Sequence, residues 1–181
     1  MDFMVSVLSS KILTEEQTVA ELALLGIRYL SQATDTKVDH TRPGEQLLAD
    51  LVRQPSSRVR TAAIALLLEH PEYAAFIPAA VAKLRGSNRI ALKLFYTAAV
   101  FLQRKYYLIF QELQGQAFQW LPDFFSAELG IPSDLSDGEC LVALGLRHQA
   151  LTGKIANWAG TYNNVARLLL RRRQMETGWN Q

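Results

Sequence analysis

Apolar residues recur at helical spacing through most of this chain, and nearly every interval between such runs carries a helix start or stop signal. Thr14 with Gln17 three residues on has the form of a capping box, in which hydroxyl and amide satisfy otherwise orphan backbone N–H groups. Val19, Leu22, Leu25 and Ile27 follow, predicting a helix over Thr14 to Gln32. Periodicity then lapses over 33–41, the expected loop, and Pro43 is placed to open a second helix reaching Gln54. A third helix starts at Ser56 or Ser57 and ends at His70-Pro71, because proline cannot continue the hydrogen-bond ladder. A fourth spans Pro71 to Leu84, kinked at Pro78 and stopped by Gly86. Ser87 is expected to cap a long fifth helix reaching toward Leu113, whose polar positions Arg89, Lys93, Thr97 and Arg104 form one narrow stripe, so that it sits centrally.

Beyond it, 116–129 reads as an amphipathic helix carrying Phe118, Trp120, Leu121, Phe124 and Phe125, followed by a loop at Gly130, Pro132 and Ser133. Ser136 and Glu139 form a second capping box, opening a helix that ends near Gly153. The last helix runs from Lys154 into Arg171, Arg172 and Arg173. No strand-like alternation bounded by turns occurs, and no βαβ pattern, which argues against an α/β enzyme fold. The expected fold is all-α with about eight helices, arranged either as stacked antiparallel helix pairs or as an irregular bundle. One domain, 1–181, is expected, with sub-units at 1–113 and 114–181.

A length of 181 residues with 49% hydrophobic and 20% charged side chains supports a substantial core without a disulfide or metal staple. The lone Cys140 has no intrachain partner, and the N-terminus carries no leader-like segment, so a reducing cytoplasm is the expected compartment. The longest apolar run, Ile90 to Leu102, is interrupted by Lys93 and falls short of the ~20 residues a span needs, so no membrane association is expected. Net charge is only +2, but its distribution is uneven. From Glu112 to Glu139 every charged side chain is acidic, and from Arg147 to Arg173 every one is basic.

The segment Ser57-Arg58-Val59-Arg60-Thr61-Ala62-Ala63-Ile64-Ala65-Leu66-Leu67-Leu68 resembles the second helix of HEAT-like repeats, where a Val-Arg pair precedes small alanines and then leucines. The resemblance covers about 41–110 and implies paired helices lining a concave surface for macromolecules, with no inherited catalytic residue. A second stretch, Lys154-Ile155-Ala156-Asn157-Trp158-Ala159-Gly160-Thr161-Tyr162-Asn163-Asn164-Val165-Ala166-Arg167, resembles a DNA-reading helix-turn-helix with Gly160 at the turn, although the apolar anchor is one residue out of place. The competing expectation is an uninterrupted helix, because Trp158, Tyr162, Val165 and Leu169 fall on one helical face.

Catalytic chemistry finds little foothold. Cys140 and His148 lie too far apart on one helix to hold a metal together, and Cys140 beside Glu139 is poorly placed as a thiolate. The histidines His40, His70 and His148 read as surface imidazoles. No phosphate-binding glycine loop, H-E-x-x-H or G-x-S-x-G motif is present, so no catalytic residue, metal or cofactor is expected. The aromatics between Tyr106 and Phe125 read as core. The functional candidates are basic: Arg58, Arg60, Arg89, Lys93, Arg167, Arg171, Arg172 and Arg173. The expectation is a non-enzymatic helical module that binds a protein partner. The alternative is a nucleic-acid-binding regulator using Arg58, Arg60, Arg167 and Arg171 to Arg173, and the third class is a helical enzyme with a conspicuous cavity near the aromatics. A continuous basic stripe favours nucleic acid, whereas arginines engaged in ion pairs favour protein contacts.

Overall fold

A computed structural model describes residues 14–30, 36 and 38–178, apart from the side chain of residue 177. Among them are eight α-helices and no strand: α1 (Glu15–Leu24), α2 (Gly44–Arg53), α3 (Ser57–Glu69), α4 (Ile77–Lys83), α5 (Gly86–Lys105), α6 (Tyr107–Gln114), α7 (Asp137–Thr152) and α8 (Trp158–Gly178). Short 3-10 turns at Pro71–Phe76 and Gly115–Ala117 lead into α4 and out of α6. The fold is all-helical.

Both capping boxes form: the Thr14 hydroxyl accepts from Gln17 N–H, and the Ser136 hydroxyl from Glu139 N–H. The Glu139 carboxylate, which accepts from Ser136, is held below the usual range by that hydrogen bond. Helix α1 ends at Leu24, earlier than periodicity suggested, and the expected terminus at Gln32 and part of the 33–41 loop lie outside the described residues. The fourth expected helix divides, with a 3-10 turn before Pro78 and α-helix after Ile77. Ser87 does not cap α5. Gly86, at φ +54°, turns the chain into that helix, and its N-terminus carries no side-chain cap.

Helices α3 and α5 form the interior. Every residue of α3 from Thr61 to Leu68 is buried, and so is every residue of α5 from Leu94 to Gln103. Helix α2 packs on α3 and α4, α3 on α5 and α8, and α5 also on α7, which in turn packs on α8. The alanines Ala62, Ala63, Ala98 and Ala99 are completely buried, letting helix backbones approach closely while leucines fill the remaining space. Among the described residues no single helix is long and apolar enough to cross a membrane. Residues 57–69 and 71–83 together reach that hydropathy, but they bend by 115° at their junction.

Two expectations fail for tertiary reasons. The long fifth helix breaks at Tyr106, and α6 beyond the break places Phe110 in the core and Gln114 Nε2 on the Leu68 carbonyl, 2.8 Å away. The helix expected over 116–129 is not formed. After the 3-10 turn residues 118–123 are irregular, and bends and turns follow. Pro122 cannot donate to a helical ladder, and α5 supplies replacement partners. The buried Gln103 side chain donates to Gln119 O at 2.7 Å and accepts from Leu121 N–H at 2.8 Å, while Tyr96 Oη donates to Pro122 O at 2.7 Å.

Candidate functional site

The predicted basic residues do not gather on one surface. Lys93 pairs with Glu128 and lies over the Phe125 ring, 5.3 Å from its centroid. Arg172 pairs with Glu176 at 3.1 Å, and Arg173 with Glu69 and Glu176. Because α8 continues to Gly178, Arg171 to Arg173 lie within the helix, and the expected placement at its C-terminus is corrected. Arg89, Arg167 and Arg171 are exposed and make no salt bridge among the described residues. From the acidic stretch 112–139, Asp123 pairs with Arg104 and Glu128 with Lys93, both on α5.

Arg58 and Arg60 behave differently, and they mark the site. Both lie at the start of α3, where the chain faces the turn between α7 and α8. Helix α7 ends at Gly153, whose φ of +67° is the left-handed conformation that stops a helix without Cβ strain. Four residues later Asn157 Oδ1 accepts from Gly160 N–H and caps α8. Gly160 is therefore inside a helix, and the helix-turn-helix expectation that put it at a turn is corrected. Tyr162, Val165 and Leu169 are buried along one face, as an uninterrupted helix from Trp158 requires. Helix α7 meets α8 closely because Gly145 has no Cβ: one built there would sit 3.0 Å from Ala159 N.

This close approach assembles an aromatic stack. The His148 and Trp158 rings lie parallel within 9° with centroids 3.5 Å apart, and Phe95 packs tilted at 5.8 Å. His148 is 2% exposed, and its Nδ1 is 2.6 Å from Tyr162 Oη. Burial, with the Arg60 and Lys154 charges adding to it, drops the imidazole from the usual 6.5 to about 4. Burial raises the Tyr162 phenol, so both rings are neutral at pH 7. Nδ1 is the one acceptor in reach of the Tyr162 hydroxyl among the described residues, and a phenol donating there leaves the imidazole hydrogen on Nε2. That nitrogen has no hydrogen-bond partner among the described residues, and His148 lines a cleft.

The cleft has two connected compartments. The inner one, of about 130 Å³, is bounded by Ser57, Arg60, Ser87, His148, Lys154 and Trp158. The outer one, of about 510 Å³, is an apolar trough of Tyr29, Ile155, Trp158, Val165 and Leu168, with Arg58 and Lys154 at its edge. Ser57, Thr61, Lys154 and Trp158 belong to both. Among the described residues neither compartment is lined by an acid. Arg58 donates to the Tyr29 carbonyl at 2.9 Å, whereas Arg60 has no acidic partner among the described residues, and burial lowers its guanidinium. The Tyr29 hydroxyl is buried with no hydrogen-bond partner among the described residues.

Sequence reasoning found Arg58 and Arg60 here but took His148 for a surface imidazole. It missed the pairing of His148 with Tyr162, fourteen residues away across a helix break. Cys140 is a buried thiol, raised by burial and resting near the Pro132 and Leu135 carbonyls, remote in partners from this cleft. Among the described residues no group of three or more His, Cys, Asp or Glu could hold a metal ion.

The His148 environment has a measurable consequence. A histidine held neutral by burial loses stability as pH falls from its unfolded value toward its folded one, because the unfolded chain takes up the proton first. Between pH 6.5 and about 4 the loss attributable to His148 is about 3 kcal/mol. Urea unfolding at stepped pH tests it, and His148→Gln is expected to remove the His148 share of the slope between about pH 5.5 and 6.5, where few carboxylates titrate. An unchanged slope in the variant would contradict a buried neutral imidazole.

Compared with protein-family models, curated proteins and solved structures, the chain matches none.

Proposed function

We propose that the chain is a non-enzymatic helical interaction module, and that its cleft between the start of α3 and the α7–α8 turn holds an acidic, apolar segment of a protein partner. The observation carrying this reading is the lining of the outer trough: apolar side chains bordered by Arg58 and Lys154, with no acid among the described residues. Ile155, 88% exposed, offers an apolar side chain that nothing in the fold requires. A segment alternating acidic and apolar residues satisfies both features, since the cations at the trough's edge complement its charge and the aromatic floor takes its apolar groups. Pairing of α2 with α3 and of α4 with α5, with α2 beside α4 and α3 beside α5, supports a HEAT-like stacking of this half and suits such a role.

The alternative, a nucleic-acid-binding regulator, rests on Arg167 and Arg171, exposed one turn apart on α8. Ion pairs at Lys93, Arg172 and Arg173 weaken it.

Peptide arrays combining Asp or Glu with Leu, Ile or Phe, compared with basic arrays and with labelled DNA and RNA across a salt series, discriminate the two. The expected result is saturable binding of acidic-apolar peptides, weakened about tenfold, or ~1.4 kcal/mol, by Ile155→Ser and by Lys154→Gln. Both replaced side chains are exposed, so folding is preserved. Nucleic-acid binding that falls steeply with salt and is lost in Arg167→Ala/Arg171→Ala, with no peptide bound, would overturn the reading.

A further inference from the structure

The inner compartment has a composition that a protein partner does not account for, and it stands on its own whether or not a peptide fills the outer trough. Among the described residues its polar side chains are Arg60, Lys154, His148, Trp158 and the hydroxyls of Ser57, Thr61, Ser87 and Thr152, with no carboxylate. His148 Nε2–H is part of a side chain 98% buried by virtue of its 2% exposure, lines the compartment and lacks a partner. Arg60 is half-buried, with no acid to neutralise it among the described residues. An unpaired cation and an unpaired donor beside one another at the same small cavity favour an anionic occupant over a neutral one.

Two helix starts add to the donor count. Neither α3, of 13 residues, nor α5, of 20, has a side-chain cap on its first-turn N–H groups. Ser57 of α3 and Ser87 of α5 line the compartment from those two ends. Uncapped helix starts present free N–H groups and the positive end of the helix dipole.

We propose that the inner compartment is a binding site for a phosphate-type oxyanion, held by His148 Nε2–H, Arg60, Lys154 and the Ser57 and Ser87 hydroxyls at the starts of α3 and α5. The formal charge of Arg60 and Lys154 matches a dianion better than a single carboxylate. A phosphate group also offers more acceptor oxygens than a carboxylate to donors arriving from α3, α5, α7 and the α7–α8 turn. The aromatic stack of His148 and Trp158 holds the imidazole edge in place, and Tyr162 fixes its tautomer. The neutral ring donates without needing a proton from solution. The bound group is either free phosphate or the phosphate of a monoester whose remainder extends into the outer trough.

Nitrogen-15 NMR of the full chain reads the site directly, with inorganic phosphate and phosphoserine titrated separately at ionic strength matched by chloride. Before ligand, the His148 ring is expected to show hydrogen on Nε2 at neutral pH. Phosphate is expected to shift that Nε2 signal saturably, and Arg60→Gln and Lys154→Gln each to weaken binding about tenfold. Lys154 is exposed in a turn, so its variant keeps the fold and the test remains decisive if Arg60→Gln unfolds. Tighter binding of phosphoserine than of phosphate identifies a monoester as the ligand, and equal binding identifies the free ion. Hydrogen on Nδ1, an Nε2 signal that follows chloride as it follows phosphate, or affinity unchanged in Lys154→Gln would overturn the proposal.

Discussion

Arg42→Ala is expected to lower unfolding free energy by about 3–5 kcal/mol, the cost of leaving buried charges without their partner. Arg42 joins two carboxylates that have almost no contact with solvent: the Glu21 and Asp50 side chains are 1% and 3% exposed. Its backbone N–H and Nε donate to Glu21 at 2.5 and 2.8 Å, and Nη1 reaches Asp50 Oδ2 at 2.5 Å. Asp50 is also held by Gln46 Nε2 at 2.8 Å and Arg53 Nη1 at 3.1 Å. Glu21 lies on α1 and Asp50 on α2, so one guanidinium fastens the first helix to the second. Removing the side chain leaves Glu21 with only the backbone N–H of residue 42 and Asp50 with Gln46 and Arg53 alone.

The buried pair itself need not be a net stabiliser, because desolvation offsets much of its attraction. The variant Glu21→Leu/Arg42→Met/Asp50→Leu is therefore expected to recover most of the loss, and Arg42→Lys only part of it, since an ammonium lacks the forked donors. Urea denaturation of the three variants at neutral pH measures this. A loss below about 1 kcal/mol in Arg42→Ala would mean that water reaches both carboxylates, as at an exposed pair.

What the chain revealed before folding divides along local and non-local interactions. Capping boxes at Thr14 and Ser136, the stop at His70-Pro71 and the stop at Gly153 depend on neighbours within a few residues, and each forms. The central position of α5 followed from its narrow polar stripe. Yet Thr97 within that stripe is fully buried, its hydroxyl donating back to the Lys93 carbonyl at 2.8 Å. The break at Tyr106 has no local signal, because Arg104-Lys105-Tyr106-Tyr107 contains neither glycine nor proline. It is held from outside, by Asn163 of α8 accepting from Lys105 Nζ at 2.8 Å and from Tyr106 Oη at 3.3 Å.

The candidate site was legible in the same partial way. Arg58 and Arg60 stood out by charge, but Arg89, Lys93 and Arg171 to Arg173 stood out equally, and only packing separates an arginine with an acid beside it from one without. His148 looked like a polar residue on a helix. Its burial depends on Gly145 admitting α8 and on Trp158 covering the ring, both set by the crossing of two helices rather than by sequence next to His148.

The irregular course of 118–123 is the other place where packing overrides local pattern, and it carries the second large effect. Tyr96→Ala is expected to cost about 3–5 kcal/mol. Its ring is fully buried, stacked at 5.3 Å on Phe124 and edge-on at 5.7 Å to Phe125, while its hydroxyl holds the Pro122 carbonyl. Deleting it opens a cavity under the whole segment. Tyr96→Phe keeps the packing and is expected to cost only about 1 kcal/mol, because the exposed Pro122 can turn its carbonyl to water. A double-mutant cycle with Phe124→Ala isolates the ring stacking, at about 0.5–1.5 kcal/mol. Hydrogen exchange separates this arrangement from an amphipathic helix over 116–129. In the structure Leu121 N–H depends on the Gln103 side chain, so Gln103→Ala is expected to deprotect that one amide selectively. Were the segment helical, its amides would bond to carbonyls four residues back, Gln103→Ala would leave Leu121 protected, and Tyr96 would have no carbonyl to hold.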